Sequence, residues 1–381
     1  MTACAYIAPP DKLNEPEGVR RPIIIADTLV SVAGQSPDAR RRVPATIQSD
    51  SKPNARLTRK ISFVGGTAVA FAGYEWAIKI CLEELSVKLT NGSRQYGSDK
   101  VFPWLTDSMN RLNEQYRIDH SNKTGREILS NVVYGLGVEP GLYGIDTVMG
   151  PPPFWTYSLG PRCTSIGSGA EYLEEECKRF RDVGIDSRDG FNRALEFVAG
   201  LNARRLAEEI LGTNSGAWGG YFEMAHLSST GWSRGPKCLH AFVGGLDLGG
   251  GKFTLRILGR FVAYSPGDAD HSRVLTIWQE PGAEPYIGDF PIPNILGRAE
   301  FNPPDTSAFW TNFDPEVLTV TVLLKSSGPL PMRIIILPTK KELDFHLSFD
   351  ASGAKWTINI DKYLIDQLGE ALPMPNHVYV P

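Results

Sequence analysis

Thr2, directly behind the initiator methionine, is the residue of this sequence whose chemistry needs least help from elsewhere. Methionine aminopeptidase removes Met1 when the next side chain is small, so the mature chain is expected to begin with a free α-amine beside a secondary hydroxyl. Such a residue holds nucleophile and base together. The amine, with a reference pKa of about 8, takes the hydroxyl proton through a water and later returns it to the leaving group. The site then needs a cation to depress the amine's pKa and a carboxylate to hold that cation. The competing reading is that Thr2 is an ordinary start residue. Cys4 is a second nucleophile by type, but it lies within the first expected strand and reads as core packing.

Other chemistries find little support. There is no His-Glu-x-x-His, no paired-carboxylate motif in a recognisable setting and no Gly-x-Ser-x-Gly elbow. The glycine-rich run 244–253 suggests a phosphate loop, yet Leu246 stands where the leading glycine belongs and Phe253 where a Mg²⁺-binding hydroxyl belongs. It reads as a glycine-rich loop entering a strand. Five scattered cysteines (Cys4, Cys81, Cys163, Cys177, Cys238) form no Cys-x-x-Cys pair and have no histidine at zinc-like spacing, so a reduced compartment and no metal or cofactor are expected. The six histidines assemble no triad, and His346 falls on the polar side of an alternating strand, where solvation explains it.

The chain that must position these residues has 381 of them, enough for two or three domains. Its 39 Lys+Arg against 43 Asp+Glu argue against a polybasic nucleic-acid binder. No apolar run approaches the ~18 residues of a membrane span, and the start lacks a signal-peptide pattern, so the expected location is cytoplasmic. Thirty-eight glycines and 28 prolines predict many turns between short strands.

Apolar runs at Thr2–Ala8 and at 23–26 predict a strand pair with an enlarged loop, and residues 34–59 read as an exposed insertion. Strands at 60–63 and 68–73 follow, then a helix over 74–89 with Trp76, Ile80, Cys81 and Leu85 at helical spacing. A helical region over 105–136, a strand near 144–146, helices over 170–182 and 189–211 and a strand-like segment at 216–227 complete the first part. After a loop at 231–236 the pattern turns to alternation: strands are expected at 252–257, 317–324, 332–337, 343–349 and 356–360, with a helix at 362–370. The reading is an α+β domain over 1–233 and a β-rich domain over 236–381, a sandwich or partly open barrel.

Thr2-Ala3-Cys4-Ala5-Tyr6, Ile25-Ala26-Asp27, Lys60-Ile61, Ala70-Phe71-Ala72-Gly73 and Ile166-Gly167-Ser168-Gly169-Ala170-Glu171-Tyr172 together resemble, in order and in context, the proteasome β-subunit family of N-terminal nucleophile (Ntn) hydrolases. The resemblance covers residues 2–230. It implies a four-layer αββα Ntn-hydrolase sandwich, followed here by a C-terminal all-β domain that nothing in the family explains. It further implies Thr2 as nucleophile, Asp27 and Lys60 as the charge pair that tunes it, Ser168 as support near the amine and the Gly73 N–H as oxyanion donor. Ser31 matches the position whose main chain pairs with an extended substrate. For Asp27 and Lys60 a purely structural ion pair is the alternative.

Three features depart from the family pattern: the loops after Ala8 and Ser31 are long, Leu29 replaces an arginine, and a further family aspartate is replaced by Asn214 or Ser215. The expected activity is that of a threonine protease or amidohydrolase on a peptide or protein substrate, in a homo-oligomer, with a protein partner at the C-terminal domain and no nucleic acid or membrane. The alternative is a non-catalytic proteasome-like structural or binding protein.

Overall fold

A computed structural model of the chain describes residues 3–7, 23–31, 55–64, 67–72, 75–90, 104, 107–108, 111, 131–135, 142–146, 155–159, 164–167, 169–182, 197–205, 219–228, 231–243, 245–247, 254–256, 260–266, 271–278, 286–295, 315–323, 332–338, 346–349 and 356–359. The strands of its first part are β1 (Cys4–Ile7), β2 (Ile23–Asp27), β3 (Leu29–Ser31), β4 (Ala55–Leu57), β5 (Ile61–Val64), β6 (Thr67–Ala72), β7 (Asn131–Gly135), β8 (Leu142–Asp146), β9 (Trp155–Leu159), β10 (Thr164–Ile166), β11 (Phe222–Ser228) and β12 (Gly231–Arg234). Among them stand helices α1 (Glu75–Thr90), α2 (Ala170–Asp182) and α3 (197–205).

These strands make two five-stranded sheets, ordered β10-β1-β2-β11-β12 and β5-β6-β7-β8-β9, and the small pair β3-β4. The run Ile23-Ile24-Ile25-Ala26 explains why β2 is central: a strand apolar at every position must be covered on both faces. Ile24 and Ala26 meet Ile61, Ala68, Ala70 and Ala72 of the second sheet. On the opposite face Ile23 and Ile25 meet Leu173 and Cys177 of α2 and Phe197, Val198 and Leu201 of α3. Each fully buried isoleucine contributes about 1.5–3 kcal/mol by leaving water. Helix α1 lies against β5, burying Ile78, Cys81, Leu82, Leu85 and Leu89. None of the described helices is long and apolar enough to cross a membrane.

From Cys238 onward the described elements are strands: β13 (Cys238–Val243), β14 (Gly245–Asp247), β15 (Thr254–Arg256), β16 (Arg260–Ser265), β17 (His271–Trp278), β18 (Tyr286–Pro293), β19 (Val317–Leu323), β20 (Met332–Pro338), β21 (His346–Phe349) and β22 (Trp356–Asn359). Six of them form one sheet, β18-β17-β16-β13-β19-β20, whose outer strands do not pair with each other. It is an open sheet, and the closed form of a barrel is absent from the described residues. Only Gly235, Pro236 and Lys237 separate it from β12. Gly235 is needed there: its N–H donates to Met224 O at 2.8 Å, and an added Cβ would lie 2.3 Å from Met224 Cγ.

The sequence reading needs correction at four places. Residues 131–135 were expected to be helical and form β7, which pairs with β6 and β8; Asn-Val-Val-Tyr-Gly is rich in β-branched and aromatic residue types, which favour strands. The loop expected at 231–236 holds β12, which pairs with β11. At the end of the expected exposed insertion 34–59, residues 55–57 form β4, paired with β3, and Thr58 and Arg59 are buried. Strands β3, β9, β13, β16, β17 and β18 were not anticipated. The glycine-rich run begins as β14, paired with β15. The helix expected at 362–370 lies outside the described residues.

His240 marks how dry the contact between the two parts is. Its ring is buried, with Nδ1 2.7 Å from Thr319 Oγ1 and Nε2 3.2 Å from Tyr221 OH, and burial pushes its pKa down to about 3. Between that value and the ordinary ~6.5 the unfolded chain holds a proton that the folded chain does not, so stability falls with acid. Between pH 7.5 and 5.5 this one group should cost on the order of 1 kcal/mol of folding stability. Urea unfolding at both pH values checks it: the wild type should lose that much more than His240→Gln, and equal losses would contradict the neutral buried ring.

Candidate active site

Asp27 ends β2 in the middle of the first sheet, where a carboxylate has no water to solvate it and must be satisfied by protein. Its Oδ1 accepts from Lys60 Nζ at 2.6 Å and from the Ala3 N–H at 2.7 Å. Its Oδ2 accepts from the Gly219 N–H at 2.9 Å. Its own N–H donates to Ala3 O at 2.9 Å, so side chain and main chain of one residue grip both polar groups of another. Lys60 is as buried as its partner, at 3% exposure against 0%.

Three local features aim these donors. Ile23–Asp27 pairs with β1 in the register Cys4 to Ala26, which brings Ala3 alongside Asp27. Gly219 and Gly220 have φ of 154° and 81°, values that side chains resist, and this turn carries the Gly219 N–H onto the carboxylate. Thr28 fixes the next step: its Oγ1 accepts from Tyr221 N at 2.9 Å and its carbonyl from Thr58 N at 2.8 Å, which holds the chain entering Lys60. On the far side of the sheet, Asn202 of α3 donates to Phe222 O and accepts from Phe222 N, closing the ladder opposite Asp27.

Of the residues singled out from sequence, Asp27 and Lys60 are together. Thr2, Gly73 and Ser168 lie outside the described residues, as do Asn214 and Ser215. Their described neighbours converge on β1: Ala3 is bonded to residue 2, Phe71 O accepts from Cys4 Sγ at 3.6 Å, and Ile166 of β10 sits opposite Cys4. Ser31 ends β3 and pairs with Ala55 of β4, which takes one edge of β3. Leu29 opens the same strand.

Cys4 is fully buried in the core between the sheets. Burial pushes its thiol well above the usual range, the Lys60 charge pulls it back in part and the Asp27 charge adds to the rise. A thiol so placed is a packing group and not a nucleophile.

Sequence reasoning missed the backbone donors of Ala3 and Gly219, and it missed Arg59 and Glu223. Arg59 Nε lies 3.4 Å from Glu223 Oε1, with both side chains buried. Neither had a usable signal: Arg59 sits in the polar string Arg-Leu-Thr-Arg-Lys, and Glu223 alternates with apolar residues as a solvated strand residue would. Among the described residues no group of three or more His, Cys, Asp or Glu could hold a metal ion.

The arrangement can hold a cationic amine at a fixed place beside the first residues of β1. Removing one member of a buried pair strands the other, at about 3–5 kcal/mol. Lys60→Met and Asp27→Asn should therefore each lower stability by that order in urea unfolding, and a loss below about 1 kcal/mol would mean the pair is solvated like a surface one. No protein-family model matches the chain, and neither does any curated protein sequence.

Proposed function

We propose that the chain is an N-terminal threonine hydrolase, a proteasome-like peptidase of the Ntn class that cleaves peptide or amide bonds through an acyl-enzyme on Thr2. The observation that carries this reading is the buried Lys60–Asp27 pair bonded to the N–H of Ala3, the residue next to Thr2. A cation held there lowers the pKa of a nearby amine by like-charge repulsion, which is what a base of ordinary pKa near 8 requires. The two packed sheets with helices on the outer face of the first are compatible with an αββα sandwich over 1–233, with 236–381 as the added β domain.

The reaction in this reading starts from a mature chain beginning at Thr2. Thr2 Oγ attacks the scissile carbonyl while its proton passes through a water to the α-amine. The oxyanion is met by the Gly73 N–H, and the amine then protonates the departing nitrogen. Water attacks the resulting ester with the amine again as base, which frees the acid and restores Thr2. Ser168 supports the amine and the Ser31 main chain aligns an extended substrate. The ladder of β1 with β10 favours this: each step back along β1 is one step forward along β10, and its last described pair is Cys4 with Ile166, two residues from Thr2 and from Ser168. A cytoplasmic homo-oligomer, with a protein partner at the C-terminal domain, completes the proposal; no cofactor is invoked.

A second reading has its own observation. Both Asp27 oxygens are already occupied by Lys60 and two backbone donors, as a purely structural pair would be, in a non-catalytic proteasome-like binding protein. Two measurements separate the readings. Intact mass and N-terminal sequencing of protein from its native host should find Met1 absent, and its retention rules out the Thr2 mechanism. Hydrolysis of a mixed peptide library should fall by about 10²-fold or more in Thr2→Ala and in Lys60→Ala. Unchanged turnover in both variants sinks the hydrolase.

A further inference from the structure

Arg59 and Lys60 are consecutive, buried and each bonded to an acid of the first sheet, Glu223 and Asp27 respectively. The acids are neighbours too: Glu223 of β11 sits opposite Ala26, one residue before Asp27. The difference lies in what else the two cations touch. Arg59 reaches across to the C-terminal sheet, where its guanidinium donates to Pro266 O at 3.0 Å and to Ser272 Oγ. Its main chain does the same, with the N–H donating to Pro293 O at 2.9 Å and a parallel bridge to Asn294.

The anchor on that side is well built. Tyr264 OH donates to Glu223 Oε1 at 3.1 Å and lies 3.2 Å from Ser272 Oγ, so sheet residues of the C-terminal part complete the Arg59–Glu223 pair. The Tyr264 ring stacks on Tyr221, centroids 4.3 Å apart, and the Tyr221 N–H holds Thr28. Ser62, two residues past Lys60, contacts Asn294 at 3.4 Å. Segment 59–62 is therefore bonded directly to the C-terminal sheet, and segment 27–28 is linked to it through Tyr221, whose N–H holds Thr28 and whose ring stacks on Tyr264. A lysine ammonium sits on a flexible four-carbon stem, so its position depends on how firmly its backbone is held.

We infer that Arg59 is a positioning residue through which the C-terminal sheet fixes Lys60 against Asp27. The sheet is then a working part of the site and not a separable module. A guanidinium suits the task because its rigid fork serves a carboxylate, a carbonyl and a hydroxyl at once, which an ammonium does less well. The consequence for turnover rests on the hydrolase reading; the positioning does not.

The test uses the full chain and needs no activity. Amide hydrogen exchange is followed at Ala3 and Gly219, the two backbone donors to Asp27, with Ile24 in mid-β2 as internal reference, and the Lys60 side chain is followed through its ¹³Cε resonance. In Arg59→Met, exchange at Ala3 and Gly219 should rise about tenfold or more relative to Ile24, and the Lys60 resonance should move. Tyr264→Phe, which leaves Arg59 and Lys60 untouched and removes one hydroxyl from the C-terminal side, should shift both readouts in the same direction; it decides the matter if Arg59→Met does not fold. Arg204→Met, which breaks a partly exposed pair with Glu176, should leave all three signals in place. The inference is overturned if Ala3 and Gly219 stay protected with the Lys60 resonance unmoved, or if they rise only in step with Ile24, as general destabilisation would produce. An inactive wild type would remove the hydrolase reading and leave these outcomes to be judged alone.

Discussion

A carboxylate placed out of reach of water is the constraint on which the rest of this molecule depends. Asp27 sits at the end of the strand that is buried on both faces, and its charge is tolerable only because one ammonium and two N–H groups meet it. Each donor comes from a different stretch of chain: residue 3, residue 60 and residue 219. The carboxylate thus acts as a fastener for three segments far apart in sequence. It converts the burial of an isoleucine strand, which is nonspecific, into a defined placement of the chain next to residue 2.

The second charge pair extends that placement outward. Glu223 has one oxygen committed to Arg59 and Tyr264, while its Oε2 is buried without a hydrogen-bond partner among the described residues. The cation that meets this acid is itself held from the C-terminal side. Burial of His240 and Tyr221 at the same contact, with both rings kept neutral, removes water from around these pairs and strengthens them. The two parts of the chain are joined by buried polar groups that each need the other.

Much of the arrangement could be read beforehand, for identifiable reasons. The isoleucine run, the alternating segments at 317–324, 332–337 and 343–349 and the helical spacing of 74–89 are local patterns, and the elements at those positions follow them within a few residues. Asp27 and Lys60 were singled out through a family resemblance, and the structure places them 2.6 Å apart. What stayed illegible depends on partners distant in sequence. Backbone donors such as Gly219 carry no side-chain signature, and the burial of Arg59 follows from a sheet that begins almost 180 residues later. Strand β7 was hidden by its neighbours, because a five-residue run has too few positions to outvote an adjoining helical pattern.

If the fastener exists to serve a nucleophile at residue 2, that residue should be the one that takes an acyl group. The direct measurement is to treat the mature protein with a β-lactone, an electrophile that leaves an ester on the hydroxyl that opens it, and to locate the adduct by tandem mass spectrometry. The account predicts a single ester on Thr2 as the first residue of the chain, lost in Lys60→Met protein that is still folded. An adduct confined to other side chains, or one on Thr2 that forms equally well without Lys60, would contradict it.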